Sequence, residues 1–129
     1  NITGEIPTSI IDIDSLTYLA LNNNNLSGPI PEDIGSIDNL KYLFLQQNQL
    51  SGKIPQSLGN LEKIRLLYLH TNHLSGYIPE SICNIYENNE NAEYFFNLML
   101  EYNQFCSPYP ECIPEHHLGI QFPSNCEEP

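Results

Sequence analysis

Apolar residues recur along this chain at a fixed spacing. In LTYLALNNNNL (16–26), LKYLFLQQNQL (40–50) and IRLLYLHTNHL (64–74) aliphatic residues hold the first, fourth, sixth and eleventh places, and Asn holds the ninth. FFNLMLEYNQF (95–105) repeats the pattern with aromatic substitutions. Alternation around each Leu-x-Leu is the period of a strand. It turns Leu19 and Leu21, Leu43 and Leu45, Leu67 and Leu69, and Leu98 and Leu100 to one side. One such coil cannot bury its own leucines. Stacked coils bury them together, and their strands then form a parallel sheet. Asn24, Asn48 and Asn72 lie 24 residues apart, while Asn103 lies 31 after Asn72. The third repeat therefore carries about seven extra residues, placed within IYENNENAEY (85–94). Each Asn turns the chain inward, where its amide satisfies backbone groups that the corner leaves unpaired. Asn24, Asn48, Asn72 and Asn103 are thus expected to be buried, and the other asparagines of NNNN (22–25) to face water.

After each Asn comes an extension: NLSGPIPEDIG (25–35), QLSGKIPQSLG (49–59) and HLSGYIPESIC (73–83). Together with LxxLxLxxNxL this resembles the plant-type leucine-rich repeat. That family includes the extracellular domains of receptor-like kinases and the polygalacturonase-inhibiting proteins. The resemblance covers residues 1–114. It implies an α/β solenoid, a right-handed coil with a parallel concave β-sheet. Second short strands are implied around Leu26–Ile30, Leu50–Ile54 and Leu74–Ile78. Short 3₁₀ or α turns are implied on the convex side near Pro31–Ile37 and Pro55–Leu61, and a disulfide-stapled cap at the C-terminal end. The chain reads as a single domain: a partial repeat 1–15, repeats 16–39, 40–63 and 64–94, and a last repeat with its cap 95–129. NITGEIPTSI matches NLSGPIPEDI at an offset of 24, so the chain starts inside a repeat. No terminal cap covers that end. The expectation is the C-terminal part of a longer solenoid.

The four cysteines, Cys83, Cys106, Cys112 and Cys126, all lie in the C-terminal half and none in the regular repeats. An even set clustered at one end suits disulfides in an oxidising compartment. Their spacing lacks the close Cys pair of a zinc site. Aligning CSPYPECIP (106–114) with SGYIPESIC (75–83) sets Cys112 over Ser81 and Cys83 beneath Pro114. That register favours Cys83–Cys112 and Cys106–Cys126, and leaves Cys83–Cys106 with Cys112–Cys126 open.

Net charge is −12, and nine of the 16 acidic residues lie from Glu80 onward, where no Lys or Arg occurs. Phosphate backbones repel such a surface, which argues against nucleic acid. No apolar run reaches the roughly 18 residues of a membrane span, so direct membrane insertion is not expected.

The outward strand positions line up in columns across the coils: Thr17, Lys41, Arg65, Phe96; Tyr18, Tyr42, Leu66, Asn97; Ala20, Phe44, Tyr68, Met99; Asn22, Gln46, His70, Glu101; Asn23, Gln47, Thr71, Tyr102. The central columns are apolar although the buried leucines are already accounted for, and their residues are expected to be exposed. A contiguous aromatic patch on a surface marks a binding site, and Tyr offers large contact area with a polar tip. The candidate ligand-binding residues are Tyr18, Tyr42, Phe44, Gln46, Leu66, Tyr68, His70, Met99, Glu101 and Tyr102. Such a face suits a protein or peptide, or a carbohydrate.

Other chemistry is thinner. Glu87, Glu90 and Glu93 in the insertion offer oxygen ligands, but at no EF-hand spacing. Glu115-His116-His117 lacks the H-E-x-x-H pattern, and no nucleophile–base arrangement follows from spacing. No metal, cofactor or catalytic residue is therefore assigned. Asn1-Ile2-Thr3 and Asn25-Leu26-Ser27 are sequons, making Asn1 and Asn25 candidate glycosylation sites. The sequence thus predicts a non-catalytic extracellular, secreted or cell-surface module that binds a protein or peptide on its concave face. The alternatives are a structural or adhesive module of a larger cell-surface assembly, and an inhibitor of a cell-wall-degrading enzyme.

Overall fold

The computed structural model describes residues 1–89, 96–124, 126 and 127. Each of four coils contributes one strand to each of two parallel sheets, and the partial first coil adds a strand to the second. Strands β2 (Tyr18–Ala20), β4 (Tyr42–Phe44), β6 (Leu66–Tyr68) and β8 (Asn97–Met99) form the concave sheet in that order. Pairing is in register with the repeat: Leu19, Leu43, Leu67 and Leu98 lie side by side. The second sheet runs β1 (Thr3–Gly4), β3 (Asn25–Gly28), β5 (Gln49–Gly52), β7 (His73–Tyr77) and β9 (Gln104–Cys106). These strands start one residue earlier than expected and stop before the Ile of each Ile-Pro, because Pro has no N–H to give a ladder.

Convex 3₁₀ turns at Ile34–Ser36, Gln56–Asn60 and Glu80–Ile82 close the coils. Neighbouring turns approach so closely that a Cβ on Gly35 would lie 1.7 Å from the Ser57 carbonyl oxygen. Ser57 joins them, its Oγ donating to Glu32 O at 2.6 Å and accepting from the Gly35 N–H at 3.0 Å. Between the sheets and the turns lies one core of Leu and Ile. Leu43, Leu45, Leu67, Leu69, Leu98 and Leu100 are fully buried, each worth about 1.5–3 kcal/mol relative to exposure.

The insertion contributes a helix, α1 (Cys83–Asn89), directly after the third convex turn. The sequence pattern did not call for it. A second helix, α2 (Glu115–Leu118), lies against β8. Cys83 pairs with Cys112 and Cys106 with Cys126, at Cα separations of 5.6 and 5.7 Å. The first bond ties α1 to the cap. The second ties the tail to β9.

Asn48, Asn72 and Asn103 are buried. Asn72 is representative. Its Nδ2 donates to Leu45 O and Leu69 O at 3.0 and 3.2 Å, and its Oδ1 accepts the Leu50 N–H at 2.9 Å. Asn24 is only half-buried. It keeps the bonds to Leu21 O and to the Ile2 N–H of the partial first coil, but β2 is the outer strand of its sheet, so among the described residues no preceding concave strand offers it the second carbonyl that Asn48 reaches at Leu21 O.

The ladder also has a fifth rung that repeat spacing hides. Gln121 Nε2 donates to Leu118 O and Leu100 O, each at 2.8 Å, and its Oε1 accepts the Phe105 N–H at 3.4 Å. Those partners correspond one for one to the partners of Asn103, and Gln121 forms a parallel bridge with it. The tail is thus an abbreviated coil, 18 residues on, in which a longer amide side chain does the work of Asn.

Candidate functional site

Strand alternation carries the outward columns onto one face. Tyr18 and Tyr42 ring centroids are 5.6 Å apart, Tyr18 and Phe44 5.5 Å, Phe44 and Tyr68 5.1 Å, and Tyr68 and His70 6.4 Å. Leu66 and Met99 flank this row through the strand register. Aromatic contacts at such distances each add about 0.5–1.5 kcal/mol beyond area burial. The row is less exposed than its outward positions predicted. Tyr18 is 56 % exposed, whereas Tyr42, Phe44, Leu66, Tyr68 and Met99 are half-buried. Large rings in adjacent columns cover one another, and only the outermost keeps an open flank.

Phe96 is a clear correction. Its column position predicted an outward side chain, yet it is 8 % exposed. Tyr86 of α1 meets it edge-on at 5.2 Å, and His117 lies 6.3 Å away. The Tyr86 hydroxyl and His117 Nδ1 are 2.7 Å apart. Burial pushes the Tyr86 hydroxyl pKa up, and burial followed by the neighbouring His116 pulls the His117 pKa down. The neutral pair is therefore favoured, and the imidazole tautomer sets which of the two groups donates.

The polar margin of the face is Gln46, His70 and Glu101. His70 Nδ1 lies 3.0 Å from Thr71 Oγ1. Burial lowers its pKa, and Glu101 opposes that shift. Gln46 Oε1 is buried with no hydrogen-bond partner among the described residues, a deficit of about 1–3 kcal/mol. At the corner that follows, Asn23, Gln47, Thr71 and Tyr102 all adopt φ of 58–59°. This left-handed conformation is uncommon for any residue but Gly. It turns each chain into the next ladder Asn, and it lifts Tyr102 into solvent. There Tyr102 stacks on Phe122 at 6.4 Å beside Ile120, the three being 47, 62 and 59 % exposed. Phe122 and Ile120 were missed in the sequence because they follow no repeat register. The backbone bond from the Tyr102 N–H to Ile120 O is what brings them there.

Among the described residues, no three His, Cys, Asp or Glu side chains converge as metal ligands. Glu87 is exposed on α1, while Glu90 and Glu93 lie outside the described residues. In Glu115-His116-His117 only His117 is buried, and it faces Tyr86. Asn1 and Asn25 are exposed. No helix among the described residues is long and apolar enough to cross a membrane.

The family model for leucine rich repeats matches residues 14–74. The ectodomain of the receptor kinase SOBIR1 from Arabidopsis thaliana is 32 % identical with a TM-score of 0.75, and the match covers 98 % of this chain and 67 % of that one. This chain is a plant-type leucine-rich-repeat protein. The same repeats align with the Arabidopsis receptor kinase HAESA, solved with the peptide hormone IDA and the co-receptor SERK1. There identity is 31 % and the TM-score 0.79, over 96 % of this chain and 20 % of that one. PEPR1–AtPEP1 matches at 34 % identity and a TM-score of 0.74, over 88 % of this chain and 15 % of that one. The leucine-rich-repeat chain thus spans a fifth or less of these two relatives. No curated protein sequence matches it.

Proposed function

We propose that this leucine-rich-repeat chain is a non-catalytic extracellular recognition module that binds a protein or peptide on its concave face. The observation that carries the reading is the continuous row Tyr18, Tyr42, Phe44 and Tyr68, with successive centroids 5.1–6.5 Å apart. Rigid aromatic rings give contact area at small entropic cost. Leu66 and Met99 widen the row. Gln46, His70, Glu101 and Tyr102 supply polar and amphipathic contacts on one side of it. The unmet Gln46 Oε1 is an acceptor that a rotation of the amide would offer to a ligand N–H. Relatives solved with a peptide hormone or with AtPEP1 support a peptide or protein ligand, and give no support to a carbohydrate. Two disulfides support an oxidising, extracellular setting.

The test is selection from a displayed peptide library on the wild-type chain, followed by binding of the enriched peptides to Phe44→Ser/Tyr68→Ser. These half-buried positions lie outside the buried core. The expected result is enrichment on wild type and at least about tenfold weaker binding to the variant, the size of a hot-spot loss. Equal binding to both would refute the concave-face reading.

A further inference from the structure

The C-terminal end of the solenoid holds a cleft of ≈ 610 Å³ between Tyr109, Pro110, Ile113 and Leu118, with Glu111 and Glu115 on its rim. It belongs to the cap and shares no residue with the concave row. Its apolar walls are fixed by the fold. Ile113 and Pro110 are buried, Leu118 closes α2, and the Tyr109 hydroxyl donates to Phe105 O at 3.3 Å. Both rim carboxylates are exposed. The chain has no Lys or Arg after Arg65, and the imidazole next to Glu115 in sequence is His116.

An apolar slot under two carboxylates selects its occupant by charge. Lys and Arg lay their methylene stems along apolar surface while their heads stay near water. A second copy of this chain would bring a charge of −12 against −12, which like-charge repulsion opposes. The volume falls within the range of ligand pockets, about 300–1,000 Å³. It accommodates a branched aliphatic side chain together with an adjoining methylene stem.

We propose that the cap cleft is a docking site for a basic segment of a partner protein. An aliphatic side chain enters between Tyr109, Ile113 and Leu118, and flanking Lys or Arg heads reach Glu111 and Glu115. The inference does not rest on the concave-face reading, and each fails or stands alone.

The experiment titrates a fluorescein-labelled Lys/Leu-rich peptide into the chain, with a Glu/Leu-rich peptide as reference. Glu111→Lys/Glu115→Lys should weaken the Lys/Leu-rich peptide at least about tenfold, and Leu118→Asn about threefold. Glu32→Lys/Glu62→Lys makes the same charge change on the convex side and should alter binding less than about twofold. Glu111→Gln/Glu115→Gln, a milder change, should fall between wild type and the charge reversal. A photo-crosslinker on the peptide should label residues 109–119. Equal losses in the two charge-reversal variants would reduce the attraction to net charge and overturn the proposal. So would crosslinks on residues 42–69, or tight binding of the Glu/Leu-rich peptide.

Discussion

The middle coils and the C-terminal closure solve one problem with different materials. Between Leu40 and Ile78 every layer is aliphatic, every corner holds an Asn, and each coil is covered by a near copy on both sides. From Phe96 onward the layer contains Phe96, Phe105 and His117, the ladder ends in Gln121, and two disulfides fasten it. A repeated unit needs no special chemistry, because its neighbour supplies whatever it lacks. Among the described residues the last unit has no near copy stacked beyond it, and there covalent bonds, larger rings and one longer amide take the neighbour's place.

Breaking the closure should produce the largest effect. Cys83→Ser/Cys112→Ser frees α1 from the cap and should cost about 3.6 kcal/mol, as expected for a loop of about 30 residues, read as the change in urea midpoint at constant m. No change would mean that Tyr86, Phe96 and His117 hold the helix without the bond. Next comes the ladder. Asn72→Ala strips partners from the buried Leu50 N–H and two carbonyls and should cost about 2–3 kcal/mol. Gln121→Ala, on a half-buried rung, should cost about 1 kcal/mol. Equal costs would erase the distinction between interior and terminal coils. The smallest effect concerns pH. His117 has a folded pKa below 6.5, from burial and then His116, so the unfolded chain binds more protons below that pH. The stability from keeping His117 neutral is complete above about pH 6.5 and is lost as pH falls through the lowered folded pKa. Unfolding midpoints between about pH 7.5 and pH 5 should drop more steeply in wild type than in His117→Asn. His70, lowered by burial against the pull of Glu101, adds a slope of the same sign that remains in the variant. Parallel slopes would remove His117 from the account.

What the sequence made legible follows from what is local and repeated. Leu43, Leu67 and Leu98 were found because a coil imposes the same geometry at each period, and Asn48, Asn72 and Asn103 because a corner always needs the same bonds. The membership of the concave face, Tyr18 and Tyr42 through Met99, was readable from alternation alone. How deeply its rings sink into one another was not, since that depends on side chains in adjacent columns. Phe96 was misjudged because the residue that covers it, Tyr86, arrives on a helix inside the irregular third repeat. Gln121 was missed because its rung comes after 18 residues rather than 24 or 31. Tyr109 and Leu118 line one cleft only because the cap folds back on β8, a contact with no periodic signature.

The paired disulfides also set an order in time. Each coil touches only its neighbours, so opening proceeds by peeling from an end. Near β1 and β2 the side chains Ile2, Ile13 and Tyr18 are 53, 47 and 56 % exposed, whereas beside β9 and α1 two covalent bonds resist separation. Amide hydrogens should therefore exchange soonest in β1 and β2 and progressively later toward β6 and β7. The disulfide-bonded coils act as the template on which loosened coils re-form, so protection along the concave strip rises from Tyr18 toward Tyr68.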